Sequence, residues 1–134
     1  MVVDANVWVS GLLPADVHHQ ASRRWLEGAI GAGEVLAVPT LVFPEVAGAI
    51  RRRSGDAHLS AEAVQSILRV PDLRIVSVDR DLGDDAARIA NDLAIRGADA
   101  VYVAVARRLQ LPLVTFDEEV RLRARAIVPT LSPR

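Results

Sequence analysis

The chain has 134 residues, 51% hydrophobic and 25% charged, which is the composition of one globular domain with a substantial core. Sixteen basic residues against seventeen acidic ones leave a net charge of −1, so a nucleic-acid partner must be met by a local basic patch. There is no cysteine and no lysine, which excludes disulfides, thiolate metal sites, cysteine nucleophiles, a P-loop lysine and Schiff-base chemistry.

Val2–Ala5 reads as a first strand, buried on both faces. Asn6–Leu13 is short, apolar and compatible with either helix or strand, and it ends at Pro14. His18–Ile30 has Ala21, Trp25, Leu26 and Ile30 near one helical face and stops at Gly31 and Gly33. Glu34–Val38 is the second strand, bounded by Pro39. Leu41–Arg53 is a helix with Val42, Val46, Ala49 and Ile50 inward and Pro44 confined to its first turn. Ala61–Arg69 is a further helix, started by Ser60 and closed by Pro71. Leu73–Val78 is the third strand. Asp84–Arg96 is a helix stopped by Gly97, and Asp99 caps the next one, Ala100–Leu109. Leu113–Phe116 is the fourth strand, Glu118–Arg125 a short helix and Ile127–Leu131 a fifth, peripheral strand. Strands alternate with helices throughout, without repeat or linker. The expected fold is a single α/β domain over residues 1–134, a three-layer sandwich with a mainly parallel central sheet flanked by helices.

The chemistry lies in four acids. Asp4 interrupts the apolar run Val2-Val3-Asp4-Ala5-Asn6-Val7, and burying an ionised carboxylate costs several kcal/mol unless something offsets it. Leu113-Val114-Thr115-Phe116-Asp117 repeats the pattern, an apolar strand that delivers an acid to its carboxyl end. No cation stands in either run, which leaves a divalent metal ion as the economical partner. Each acid also has a plain reading: Asp4, Asp99 and Asp117 as helix N-caps, Glu45 as a solvated acid in a first helical turn. Their joint placement is the stronger signal, two after strands and two at helix starts that would flank one sheet edge.

Val-Val-Asp-Ala-Asn-Val at 2–7, Pro-Glu-Val at 44–46, Gly-Ala-Asp-Ala-Val-Tyr-Val-Ala-Val-Ala at 97–106 and Leu-Val-Thr-Phe-Asp at 113–117 resemble PIN-domain ribonucleases, and most closely the VapC-type toxins of toxin–antitoxin pairs. The resemblance covers the whole chain. It implies a Rossmann-like sandwich and an endoribonuclease whose catalytic acids are Asp4, Glu45, Asp99 and Asp117. Asp4, Asp99 and Asp117 would hold Mg²⁺ or Mn²⁺, with Asn6 and Thr115 in supporting positions. It also implies an RNA substrate, a homodimer and a VapB-type antitoxin, or, in related PIN domains, RNA processing or a non-catalytic interaction module.

Hard oxygen donors without thiolates suit Mg²⁺ or Mn²⁺ and disfavour zinc. Four carboxylates around one site repel, so at least one should titrate high without metal. Arg51 and Arg52 are the candidate substrate cations, with dipole complementation at a helix end as their plain alternative. His18, His19 and His58 read as surface histidines, and Trp8 and Trp25 as core or partner-surface residues. The apolar segments Asn6–Leu13 and Thr40–Ile50 suggest interfaces. A receiver or haloacid-dehalogenase domain also presents strand-end aspartates, but normally relies on a lysine that this chain lacks. No signal peptide and no run near the roughly 20 apolar residues of a membrane span is visible, and the expected location is the cytoplasm.

Overall fold

A computed structural model describes all residues, 1–134. Five short parallel strands form one sheet: β1 (Val2–Val3), β2 (Ala37–Pro39), β3 (Arg74–Val76), β4 (Leu113–Val114) and β5 (Thr130–Leu131). Their order is β3-β2-β1-β4-β5, with Val2 opposite both Ala37 and Leu113. The chain builds outward from β1 through β2 to β3, then crosses back to place β4 on the other side of β1. The strand order therefore reverses between β1 and β4, and parallel α/β sheets open their ligand crevice at the carboxyl ends of such a switch.

Seven helices flank the sheet: α1 (Ala5–Leu12), α2 (His19–Gly31), α3 (Val42–Ser54), α4 (Ala57–Leu68), α5 (Arg80–Leu93), α6 (Gly97–Leu109) and α7 (Glu118–Ala124). α6 is the central one. Its residues Ala100 to Ala106 are all buried, and it packs on β1, β2 and β4 as well as on α5. A helix apolar on every side belongs in the interior. α1 packs on α2 and α3, and α3 on α4.

Several boundaries depart from the sequence reading, each for a local reason. The first strand stops at Val3: Asp4 is extended, and its carbonyl accepts the Val7 N–H at 3.0 Å, which opens α1 directly. α4 begins four residues earlier than expected because Asp56, not Ser60, caps it by accepting the Leu59 N–H at 2.9 Å. Ser60 is instead buried and donates to the Ala47 carbonyl at 2.8 Å, tying α4 to α3. α5 likewise starts at Arg80 under an Asp79 cap to the Leu82 N–H. It ends at Ala94, which takes the left-handed conformation that glycine usually supplies (φ 52°). Gly97, expected to stop α5, is the first residue of α6. Pro39 lies inside β2 and not beyond it.

The interface argument from apolar segments also changes. Val7, Trp8, Val9 and Leu13 are buried within the monomer, as are Val42, Val46 and Ile50. Trp8 is a core residue, with its indole N–H unpaired, and Trp25 packs partly buried against the same core. The large apolar side chains left in solvent are elsewhere, among them Val17, Leu68, Ile75, Leu122 and Leu131. No helix is long and apolar enough to cross a membrane.

Candidate active site

The four acids arrive at one edge of the sheet by different routes. Asp4 leaves β1 and Asp117 follows β4, the two strands that bound the switch point. Glu45 stands in the first turn of α3 and Asp99 in the first turn of α6. Because α6 begins at Gly97, Asp99 lies within the helix, its N-cap position is held by Arg96, and its carboxylate is not used as a cap. Asp4 occupies an N-cap position but makes no side-chain cap bond. Asp117 is a true cap, with Oδ1 accepting the Val120 N–H at 3.0 Å and Oδ2 left free for other partners.

Asp4 is buried, and Oδ2 accepts two neutral donors: Thr115 Oγ1 at 2.6 Å and Asn6 Nδ2 at 2.9 Å. Asn6 Nδ2 also reaches Thr115 Oγ1 at 2.8 Å, while Asn6 Oδ1 accepts the Phe116 N–H at 3.2 Å. The Asp117 N–H in turn donates to Thr115 Oγ1 at 3.1 Å. Asn6 and Thr115 thus bind the end of β1 to the end of β4 and fix Asp4 between them. Burial pushes the Asp4 carboxyl up to about 6 from an ordinary 3.8; the Thr115 hydroxyl opposes the rise, and the charges of Asp99 and Glu45 add to it.

Glu45 is half-buried, and Oε2 accepts the hydroxyl of Tyr102 at 2.6 Å, a residue fully enclosed in α6. Burial raises the Glu45 carboxyl, the Tyr102 bond lowers it, and Asp99 raises it again. Glu45 is therefore no solvated surface acid.

Arg96 is the cation that the sequence did not expose. Its Nε lies 3.0 Å from Asp99 Oδ2 and its Nη2 3.7 Å from Asp117 Oδ2. Asp99, then Asp117 and Asp4, hold its guanidinium still more firmly protonated than usual. Its side chain is 80% exposed, so it crosses the rim of the pocket and is not built into it. The pocket it crosses, about 410 Å³, is lined by Arg96, Asp99, Asp117 and Glu119 with Ile95 and Val120.

Nowhere do three histidine, aspartate or glutamate side chains already stand at metal-holding spacing. The donor set nevertheless suits a hard divalent cation. The charge of Asp99 raises the affinity of Asp4 and Glu45 for positive charge, and a guanidinium already bridges Asp99 and Asp117 as a stand-in cation. Of the other candidates, Arg51 Nη1 donates to the Gly55 carbonyl at 2.6 Å and so closes its own helix. Arg52 lies back over Gly48, with Nη1 3.0 Å from where a β-carbon would stand, and lines a second cavity together with Glu45. Tyr102 and Arg96 are the site neighbours that the sequence reading missed. A tyrosine facing the N-terminal turn of α3 across 57 residues leaves no local pattern, whereas Arg96 sits three residues before an acid already singled out.

The PIN domain family model matches residues 1–126. No curated protein matches the chain. Among solved structures it is similar to VapBC2 from Rickettsia felis bound to a DNA fragment from its promoter, at 14% identity and a TM-score of 0.72 over 98% of this chain and 96% of that one. It is similar to the sarcin–ricin loop cleaving toxin VapC20 of Mycobacterium tuberculosis, at 20% identity and a TM-score of 0.73 over 90% and 92%. It is also similar to FitAcB from Neisseria gonorrhoeae, at 21% identity and a TM-score of 0.65 over 98% and 96%. At these identities the likeness is one of fold.

Proposed function

The chain belongs to the PIN-domain family, and on that premise we propose that it is a Mg²⁺- or Mn²⁺-dependent endoribonuclease, the toxin of a type II toxin–antitoxin pair that cleaves tRNA or rRNA and so arrests translation. The observation that carries the reading is the convergence of Asp4, Glu45, Asp99 and Asp117 on the β1/β4 switch, with Asp4 buried and given no cation of its own.

In this reading Asp4, Asp99 and Asp117 would hold the ion. A bound Mg²⁺ or Mn²⁺ supplies Lewis acidity, lowering the pKa of water and offsetting charge on the attacked phosphate and the leaving 3′ oxygen. Thr115 and Asn6 orient Asp4 through Oδ2. Glu45, whose Oε2 is held by Tyr102, keeps Oε1 to take a proton from the attacking water. Arg52 is placed to meet a substrate phosphate beside Glu45. Arg96, which spans Asp99 and Asp117 from an exposed position, would be free to give up those carboxylates to a cation.

A VapB-type antitoxin is the proposed partner, supported by relatives of the same fold solved as VapBC and toxin–antitoxin complexes. A homodimer and a cytoplasmic location follow from the resemblance to VapC-type toxins. The test is cleavage of total RNA with Mn²⁺ by the wild type and by Asp4→Asn, with expression in cells alone and beside the neighbouring gene product. Cleavage that needs Mn²⁺ and Asp4, and toxicity relieved by the neighbour, are expected. Full activity in EDTA or in Asp4→Asn would overturn the assignment, and harmless expression would remove the toxin role.

A further inference from the structure

Beside Glu45 lies a second cavity, of about 440 Å³, large enough for a nucleoside. Its wall carries His18 and Phe116, whose rings stack nearly parallel, 14° apart with centroids at 4.5 Å. Phe116 is half-buried between Thr115 and Asp117, with its N–H on Asn6, so this ring is one residue from two members of the acidic site. His18 is exposed, and one of its faces is covered by Phe116. The backbone that carries the imidazole is also held in place, through its own N–H. The His18 N–H donates to Asp16 Oδ1 at 2.8 Å, and Asp16, its side chain only 9% exposed, is fixed by Arg53 from α3 at 2.8 Å. Arg52 also lines the cavity and makes no ion pair.

We propose that this cavity is a subsite for one unpaired nucleobase of the RNA substrate next to the cut, which stacks as a third ring on the His18–Phe116 pair while Arg52 takes a flanking phosphate. The proposal rests on the endoribonuclease reading and adds what the enzyme recognises: a base splayed out of a loop or single strand. The chemistry matches that class. Aromatic and histidine rings receive bases that have left the stack, whereas paired bases of an RNA helix present no free face. Joined to the acids through Phe116 and Glu45, the subsite would register the scissile phosphate on the pocket.

Wild-type protein with Mn²⁺ is first used to map cut sites on total RNA. A short RNA spanning one site, with 2-aminopurine at each flanking position in turn, is then assayed with wild type, His18→Ala, His18→Tyr and Phe116→Leu. His18→Ala keeps the backbone bond to Asp16, and Phe116→Leu keeps an apolar side chain at the site. The expected result is quenching of 2-aminopurine at one position in the wild type. In His18→Ala that quenching is lost and KM rises about tenfold with kcat little changed. Phe116→Leu gives an intermediate loss, and His18→Tyr restores both signals. If wild type cuts RNA and His18→Ala leaves quenching, KM and cut sites unaltered, the subsite is wrong while the nuclease reading stands. If wild type cuts no RNA with Mn²⁺, the nuclease reading fails and takes the subsite with it. Equal quenching by single-stranded DNA of the same sequence would overturn the RNA assignment. Loss of antitoxin binding with no change toward RNA would give the cavity to the protein partner instead.

Discussion

The acidic site has two halves built on opposite principles. At the strand ends, Asp4 is buried and satisfied by two neutral donors, Thr115 and Asn6. At the helix starts, Asp99 and Asp117 lie nearer solvent and share one exposed cation, Arg96. Neutral donors orient a carboxylate but leave its charge uncompensated; an exposed arginine compensates charge but orients little. Each half thus supplies what the other lacks: an oriented oxygen without a counter-charge, and a rim with one.

Removing a carboxylate breaks this comparison most sharply. Asp4→Asn and Asp99→Asn should each lower Mn²⁺-dependent RNA cleavage by orders of magnitude, yet they should differ in stability. Folded Asp4 titrates near 6, above its ordinary 3.8, so the folded state binds the proton more tightly than the unfolded chain does. Stability from this group is complete below about pH 4 and falls as pH rises to about 6, by about 3 kcal/mol at most. Asp4→Asn removes that slope. In metal-free buffer at pH 7.5 its Tm should exceed that of wild type, with the advantage vanishing near pH 4; Asp99→Asn should show no such gain. Parallel denaturation curves for wild type and Asp4→Asn across this range would refute the account of the buried half.

Added Mn²⁺ should supply the missing charge. At a hundredfold excess over its Kd, the stabilisation is about 2.7 kcal/mol, or on the order of 10 °C in Tm for a domain of this size. Asp4→Asn, Asp99→Asn and Asp117→Asn should each blunt that rise in a thermal-shift titration, with EDTA restoring the metal-free value. A shift that survives all three substitutions would place the ion elsewhere.

What could be read from the sequence divides along a different line, by how local each signal is. Asp4 and Asp117 were conspicuous because an acid at the end of an apolar strand is costly, and that cost is visible in a few consecutive residues. The alternation of strands and helices and the parallel sheet were legible for the same reason, since hydrophobic period is local. What was lost depends on distance or on competition between caps. Asp56 and Asp79 outcompete later residues as helix starts, and Ala94 ends α5 before Gly97 can. The last shift moves Asp99 from cap to first turn and brings Arg96 to the rim. The stacking of His18 on Phe116 and the reach of Tyr102 to Glu45 join segments far apart in sequence, where no periodicity records them.

Arg96 tests the rim alone. If it occupies the cation position only until metal arrives, Arg96→Gln should tighten Mn²⁺ binding by a few-fold in isothermal titration, since exposed ion pairs are worth about 1 kcal/mol or less. Thermal stability without metal should fall slightly as Asp99 and Asp117 lose their partner. Weaker Mn²⁺ binding in the variant would mean that Arg96 shapes the pocket for the ion and does not compete with it.

Tyr102→Phe should have the smallest effect on metal binding and separates Glu45 from both halves. The hydroxyl donates to the charged form of Glu45 at 2.6 Å and holds its carboxyl below where burial and Asp99 would otherwise set it. Without that donor the carboxyl rises further, because a bond to the ionised form is lost. Stability should drop by about 1–2 kcal/mol from the unpaired buried oxygen. RNA cleavage at neutral pH should fall only a few-fold. If Glu45 takes the proton from water, the acid limb of the pH–rate profile should move to higher pH in Tyr102→Phe, while KM and Mn²⁺ affinity stay close to wild type. A loss of rate that is equal at every pH would assign Tyr102 to positioning of α3 and leave the base to another group.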